Sequence, residues 1–292
     1  MLAGPAGGQL RCLGMILALL LAAAPVLQMS EQQIDQAIAE AHRLPAIGDR
    51  VEKLSALFVG VPYGEFPLGE GSGIEPQPRW RLDQVDCQTY VETVLAMGNA
   101  KSLPAARAIL DDIRYAQTPP KVGFATRNHF TEAQWIPSLV EKGYLREETT
   151  AIDGRARSAA LALHRAQWEK VPGLKRLATA DIPEGNFPIR YLTLDEAKKR
   201  AASIEPGSVL LVVRAHDPAR VVRVSHMGLV VRKEGKLYVR HASFGQEKAV
   251  IELPFDEFIA RQREYKKWPV QGLALAMPLD ARLRVNKLTA TR

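Results

Sequence analysis

The sequence predicts an α+β fold. Helical periodicity dominates the first two thirds of the chain, short β-branched runs follow Pro206, and the two patterns do not alternate. From Ser30 to Phe58, Ile34, Ala37, Ile38 and Ala41 form one apolar stripe and Val51, Leu54, Leu57 and Phe58 another, as expected of two packed helices. The Gly- and Pro-rich stretch VPYGEFPLGEGSGIEPQPRW then excludes any long element. Between Asp86 and Gly98 the residues Tyr90, Val91, Val94 and Leu95 share a helical face, and one turn back lies Cys87, facing the core at a helix start. Pro104 suits the first turn of a helix running to Tyr115. Asn128 to Leu139 reads as a shorter helix, and Asp153 to Trp168 as another. Beyond Pro206, SVLLVVR, HMGLVVR, KLYVRHAS and AVIEL read as strands of an antiparallel sheet, FDEFIARQ as a short helix and VQGLALAM as a last strand.

Arg11 precedes the apolar run LGMILALLLAAAPVL, and a polar stretch begins at Ser30, the order of an export signal over residues 1–28 with cleavage near Ala22, Ala23 and Ala24. The run is short for a membrane span, so the mature protein is expected without a stable anchor, periplasmic or secreted. An uncleaved anchor is the alternative. Residues 29–60 are expected to pack as a helical segment on a catalytic domain of residues 61–280, with 281–292 as a tail. The formal net charge of +7 comes from scattered Lys and Arg rather than blocks, which argues against nucleic acid and suits an anionic polymer such as the cell wall. A monomer is expected.

Of the two cysteines, Cys12 leaves with the signal, so Cys87 is the single thiol of an exported protein. Such a thiol is either inert and buried or kept for reactivity, and the count alone does not choose. A helix N-terminus favours the thiolate and supplies N–H groups for an oxyanion. Among the six histidines, His42, His164 and His216 lie among polar neighbours. His226 and His241 bracket a hairpin whose turn is Glu234-Gly235. With a two-residue loop, Arg232 pairs with Leu237, Gly228 with His241 and His226 with Ser243, and both imidazoles project from one face; a three-residue loop separates them. Gly228 would leave room for His241 to lean toward His226. A nucleophile, a base and a group orienting the base are then available. Two half-buried strand histidines with no joint task fit the spacing equally well. No Cys-x-x-Cys pair or His-Glu-x-x-His helix suggests a metal, and no cofactor is expected.

VDCQTYVETV resembles the Asp-Cys helix of the NlpC-type cell-wall hydrolases, and VSHMGLVVRKEGKLYVRHAS resembles their paired strands carrying the two histidines. EPGSVLLVV is similar to the preceding Pro-Gly-Asp strand, and VPYG to the Tyr-containing loop before the cysteine. Between cysteine and histidine, ILDDIRYAQ and ATRNHFTEAQWI resemble the N-acetylmuramoyl-L-alanine amidase-like branch, with a helical insertion there; the likeness spans Val61 to Met277. The resemblance implies a papain-like fold with the nucleophile helix on an antiparallel sheet and a triad of Cys87, His226 and His241. It also implies thiol-dependent cleavage of the amide between N-acetylmuramic acid and L-alanine in peptidoglycan fragments. The Cys87 thiolate, paired with protonated His226, would attack, with His241 orienting His226. Substrate contacts are expected from Tyr63, Asp86, Arg127, Asn128, His129, Ser225 and Ser243, and packing roles for Trp80 and Trp135. Gln88-Thr89 stands where the wider superfamily has Ser-Gly, and Ser208 where it has Asp, which weakens the case for a γ-D-glutamyl endopeptidase. Asp86 keeps that activity as the alternative, beside a wall-binding protein that does not catalyse.

Overall fold

The computed structural model describes residues 25–67, 69, 71–117, 121–177 and 182–290. Most of the expected signal, residues 1–24, lies outside them. In chain order the helices are α1 (Pro25–Gln28), α2 (Glu31–His42), α3 (Ile47–Ser55), α4 (Cys87–Asn99), α5 (Leu103–Arg114), α6 (Ile136–Glu141), α7 (Thr149–Ile152), α8 (Arg165–Trp168), α9 (Leu194–Lys199), α10 (Phe255–Arg263) and α11 (Arg282–Ala290). The strands are β1 (Leu145–Glu147), β2 (Arg157–Leu163), β3 (Gly185–Tyr191), β4 (Val209–Arg214), β5 (Val224–Lys233), β6 (Lys236–Ala242), β7 (Val250–Pro254) and β8 (Val270–Pro278). Six of them form an antiparallel sheet in the order β1-β8-β4-β5-β6-β7.

Both faces of the sheet are covered, and β4 shows it. Val209, Leu211 and Val213 point into a core shared with α2 to α5, while Leu210 and Val212 point into a second core with α9 and α10. That two-sided burial is why the strand reads as an unbroken apolar run rather than an alternating one. The segment 29–60 contributes Ile34, Ile38, Val51, Leu54 and Phe58 to the first core, against α4.

Three expectations change. The segment expected as a helix from Asp153 to Trp168 is mostly the strand β2, which pairs with β3 as a two-stranded ribbon. Its alanines suit a helix, but Ala159, Leu161 and Leu163 are buried at alternate positions against Phe124, Phe130, Trp168 and Ile189, and tertiary burial overrides propensity. The insertion between cysteine and histidine is therefore mixed rather than helical. Asn128 to Leu139 is a π-helical turn, Thr131–Trp135, running into α6. The tail forms α11, docked through Arg284 on buried Asp112, with Ala281 and Val285 in the core.

Candidate active site

Cys87 is the first residue of α4. Asp86 caps that helix: its Oδ1 accepts from the Thr89 N–H at 2.7 Å and from Thr89 Oγ1 at 2.8 Å, and Thr89 Oγ1 in turn accepts from the Asp86 N–H at 2.9 Å. The helix is held from beneath by Glu92, which is fully buried and receives Arg114 Nε at 2.9 Å, Trp135 Nε1 at 3.0 Å and Gln88 Nε2 at 2.9 Å. Trp135 is a packing residue, as expected, and its indole N–H helps fix α4.

The hairpin of β5 and β6 turns at Glu234-Gly235, both with positive φ (49° and 75°), the two-residue turn whose twist suits antiparallel strands. Arg232 pairs with Leu237, and the ladder runs to Leu229–Arg240. The ladder stops at that pair, so neither the expected pairing of Gly228 with His241 nor that of His226 with Ser243 forms; the Ser243 N–H bonds the Ala249 carbonyl instead. The imidazoles nevertheless meet, His226 Nε2 lying 2.9 Å from His241 Nδ1 with the rings edge to face. Gly228 makes this possible, because a Cβ there would sit 2.9 Å from His241 Cβ and 3.0 Å from the Arg240 carbonyl oxygen. Gly228→Val is expected to cost about 1–3 kcal/mol of stability and, by displacing His241, to lower kcat/KM roughly 100-fold. Denaturant titration beside steady-state kinetics separates the two effects.

A β-bulge at Ser225 shifts the β4–β5 register between Val212–His226 and Val213–Val224, and bulges re-aim the side chains beside them. Cys87, His226 and His241 line one cavity of about 620 Å³, together with Tyr63, Ser225, Ser243 and Phe244. The Met227 N–H, beyond the end of the β5–β6 ladder, lies within hydrogen-bonding reach of the sulfur.

Burial dominates the electrostatics of the site. Burial, reinforced by the Asp86 carboxylate, pushes the Cys87 thiol up to about 12, while the N–H groups of Met227 and Gln88 pull the other way. Burial, then His241 and Arg214, holds His226 well below 6.5, and burial brings His241 to about 4. Desolvation thus opposes both the thiolate and the imidazolium, against the pull of the helix N-terminus on the thiol.

Of the residues expected to hold substrate, Tyr63, Ser225 and Ser243 reach the cavity. Ser225 Oγ accepts from Arg214 Nε at 2.7 Å, and Ser243 Oγ donates to Glu247 at 3.0 Å. Asp86 is occupied in capping. The structure does not bring Arg127, Asn128 and His129 to the cavity. Arg127, only 2% exposed, grips Glu75 with Nε at 2.8 Å and Nη2 at 2.5 Å. Asn128 Nδ2 donates to the Ile113 carbonyl, and His129 Nε2 lies 2.6 Å from the Phe124 carbonyl oxygen. Sequence reasoning missed Arg214, whose one local signal is a cation closing an apolar strand. Among the described residues no group of three or more His, Cys, Asp or Glu side chains is disposed to hold a metal ion, and no helix is long and apolar enough to cross a membrane.

Solved structures share this α+β architecture. A Legionella pneumophila protein is 23% identical over 85% of this chain and 95% of its own, with a TM-score of 0.71. An N-acetylmuramoyl-L-alanine amidase from Bacteroides uniformis is 22% identical over 80% and 99%, with a TM-score of 0.65. No curated protein matches. The model of the AmiA-like family, N-acetylmuramoyl-L-alanine amidase-like, matches residues 53–265, and the chain belongs to that family.

Proposed function

We propose that the protein is an exported cysteine amidase of papain-like, NlpC-type architecture that hydrolyses the bond between N-acetylmuramic acid and L-alanine in peptidoglycan fragments. The observation that carries this reading is a thiol at a helix N-terminus sharing one cavity with two hydrogen-bonded histidines, in a chain of an amidase-like family. His226 takes the thiol proton as the sulfur attacks the lactyl carbonyl, and the N–H groups near the sulfur stabilise the oxyanion. The proton then passes to the departing alanine nitrogen, and water, activated by the same imidazole, hydrolyses the thioester. His241 orients His226. The endopeptidase alternative needs Asp86 to hold a substrate ammonium, a role in competition with its capping of α4.

Mass spectrometry of products from defined muropeptides tests the assignment: free alanine-headed stem peptides are expected, and cleavage only after the second stem residue would replace it with the endopeptidase.

The acid–base states give a pH dependence. Because the active pair is neutral, kcat/KM is expected to stay level from pH 6.5 to 9, between a histidine held below its usual 6.5 and a thiol at about 12. A bell with both limbs inside that window would mean a thiolate–imidazolium pair. Stability should fall on acidification, because below pH 6.5 the unfolded chain binds protons that half-buried His226 and buried His241, the latter at about 4, refuse. Each histidine contributes a slope of about 1.4 kcal/mol per pH unit within that window, measurable by denaturant titration.

A further inference from the structure

The buried arginines of this chain mostly carry a carboxylate: Arg50 has Asp280, Arg114 has Glu92, Arg127 has Glu75 and Arg240 has Glu252. Arg223, whose side chain forms no ion pair among the described residues, feels the charge of Glu132 and donates to the Arg214 and Ala160 carbonyls and to Gln271 Oε1. Arg214 is different. It is 7% exposed, lines the cavity of Cys87 and His226, and among the described residues forms no ion pair. Its Nε donates to Ser225 Oγ at 2.7 Å and its Nη1 to the Trp268 carbonyl at 2.7 Å, while its guanidinium lies 4.2 Å from the centre of the Tyr265 ring and 5.4 Å from that of Trp268. The Tyr265 side chain is also a hydrogen-bond partner of the guanidinium.

The placement is built rather than incidental. One register shift brings Ser225 to Nε, and a second, between Val213–Gly272 and Arg214–Val270, turns the end of β4. A desolvated cation without an anion is costly, and braces on two nitrogens with rings beside the plane fix its direction without neutralising it. The nearby carboxylate Glu247 does not supply the charge, being held by Arg261 at 2.7 Å and by Ser243. Glu264 also lines the cavity but forms no ion pair with Arg214, so among the described residues no carboxylate is paired with it.

We propose that Arg214 is the carboxylate-binding residue of the site, a specificity determinant that receives a substrate carboxylate entering the cavity it lines. This rests on the amidase reading. In a stem whose second residue is a γ-linked acidic one, the carboxylate nearest the scissile amide is the free α-carboxylate of that residue. Arg214 then reads whether this group is a carboxylate or has been capped as an amide.

The test compares N-acetylmuramoyl-L-alanyl-D-isoglutamate with the corresponding D-isoglutamine compound at pH 8. The wild-type protein is expected to favour the free acid about 10- to 100-fold in kcat/KM, the range of a hydrogen bond to a charged group. Arg214→Gln should bring the acid-to-amide ratio to near one, and Arg214→Lys should retain part of it. A wild-type ratio of one, or an Arg214→Gln protein slowed on both compounds with the ratio kept, overturns the proposal. Should neither compound release an alanine-headed peptide, the amidase reading fails. Calorimetric titration of both into the Cys87→Ala protein then decides the role of Arg214 alone: tighter binding of the free acid supports it, and equal binding rejects it.

Discussion

Replacing Cys87 with Ala is expected to abolish release of stem peptides, lowering kcat by a factor on the order of 10⁴ or more, with thermal stability near that of the wild type. The sulfur lies at a cavity surface rather than in the core, so its removal leaves no large void. The helix keeps its start, because the cap belongs to Asp86 and Thr89. His226→Ala should be comparably severe, and the double variant no worse than either single one, since a nucleophile and its base act as one unit. Liquid chromatography with mass detection on purified muropeptides reads all three. Release undiminished in Cys87→Ala would falsify thiol catalysis.

The second large effect is on stability. Arg114→Met removes the cation facing Glu92, a carboxylate with no solvent exposure, and breaks a further bond from Arg114 Nη1 to the Arg79 carbonyl at 2.8 Å. An unpaired buried charge costs about 3–5 kcal/mol, and at about 2–4 °C per kcal/mol for a chain of this size the melting temperature should drop on the order of 10 °C. Adding Glu92→Gln removes the stranded charge while leaving an amide oxygen to accept from Trp135 Nε1, so the double variant should recover much of the loss. Calorimetry distinguishes the outcomes: a double variant as unstable as the single one would mean that the charge pair itself, rather than burial of an orphan, matters. Activity should track stability here, because this network seats the helix that carries the sulfur.

These expectations draw unequally on the sequence. Helix α4 was legible because one local apolar stripe marks it; the Asp cap and the Thr three residues on, equally local, are seen only in the structure. The histidine pair was legible because a Glu-Gly turn fixes strand parity and a glycine opposite leaves space. The ribbon of β2 and β3 was not, since an alanine-rich segment takes the conformation its burial partners demand, and those partners lie elsewhere in the chain. Arg127 looked like a substrate clamp because an arginine fork suits a stem-peptide carboxylate; Glu75, 52 residues away, occupies that fork. Arg214 was overlooked for the converse reason, for only the folded sheet reveals which arginine lacks a partner. The thiol's acidity followed the same pattern: the favourable dipole was visible in the order of residues, the opposing desolvation only in three dimensions.

The hairpin has a practical side. Five paired positions, from Lys233–Lys236 back to Leu229–Arg240, separate its tip from the imidazoles, a distance of roughly 17 Å at the usual rise of a strand. The tip is thus an insulated handle where a fluorophore or an affinity peptide can be grafted, so that the enzyme could be tracked or immobilised while its chemistry runs undisturbed at the far end.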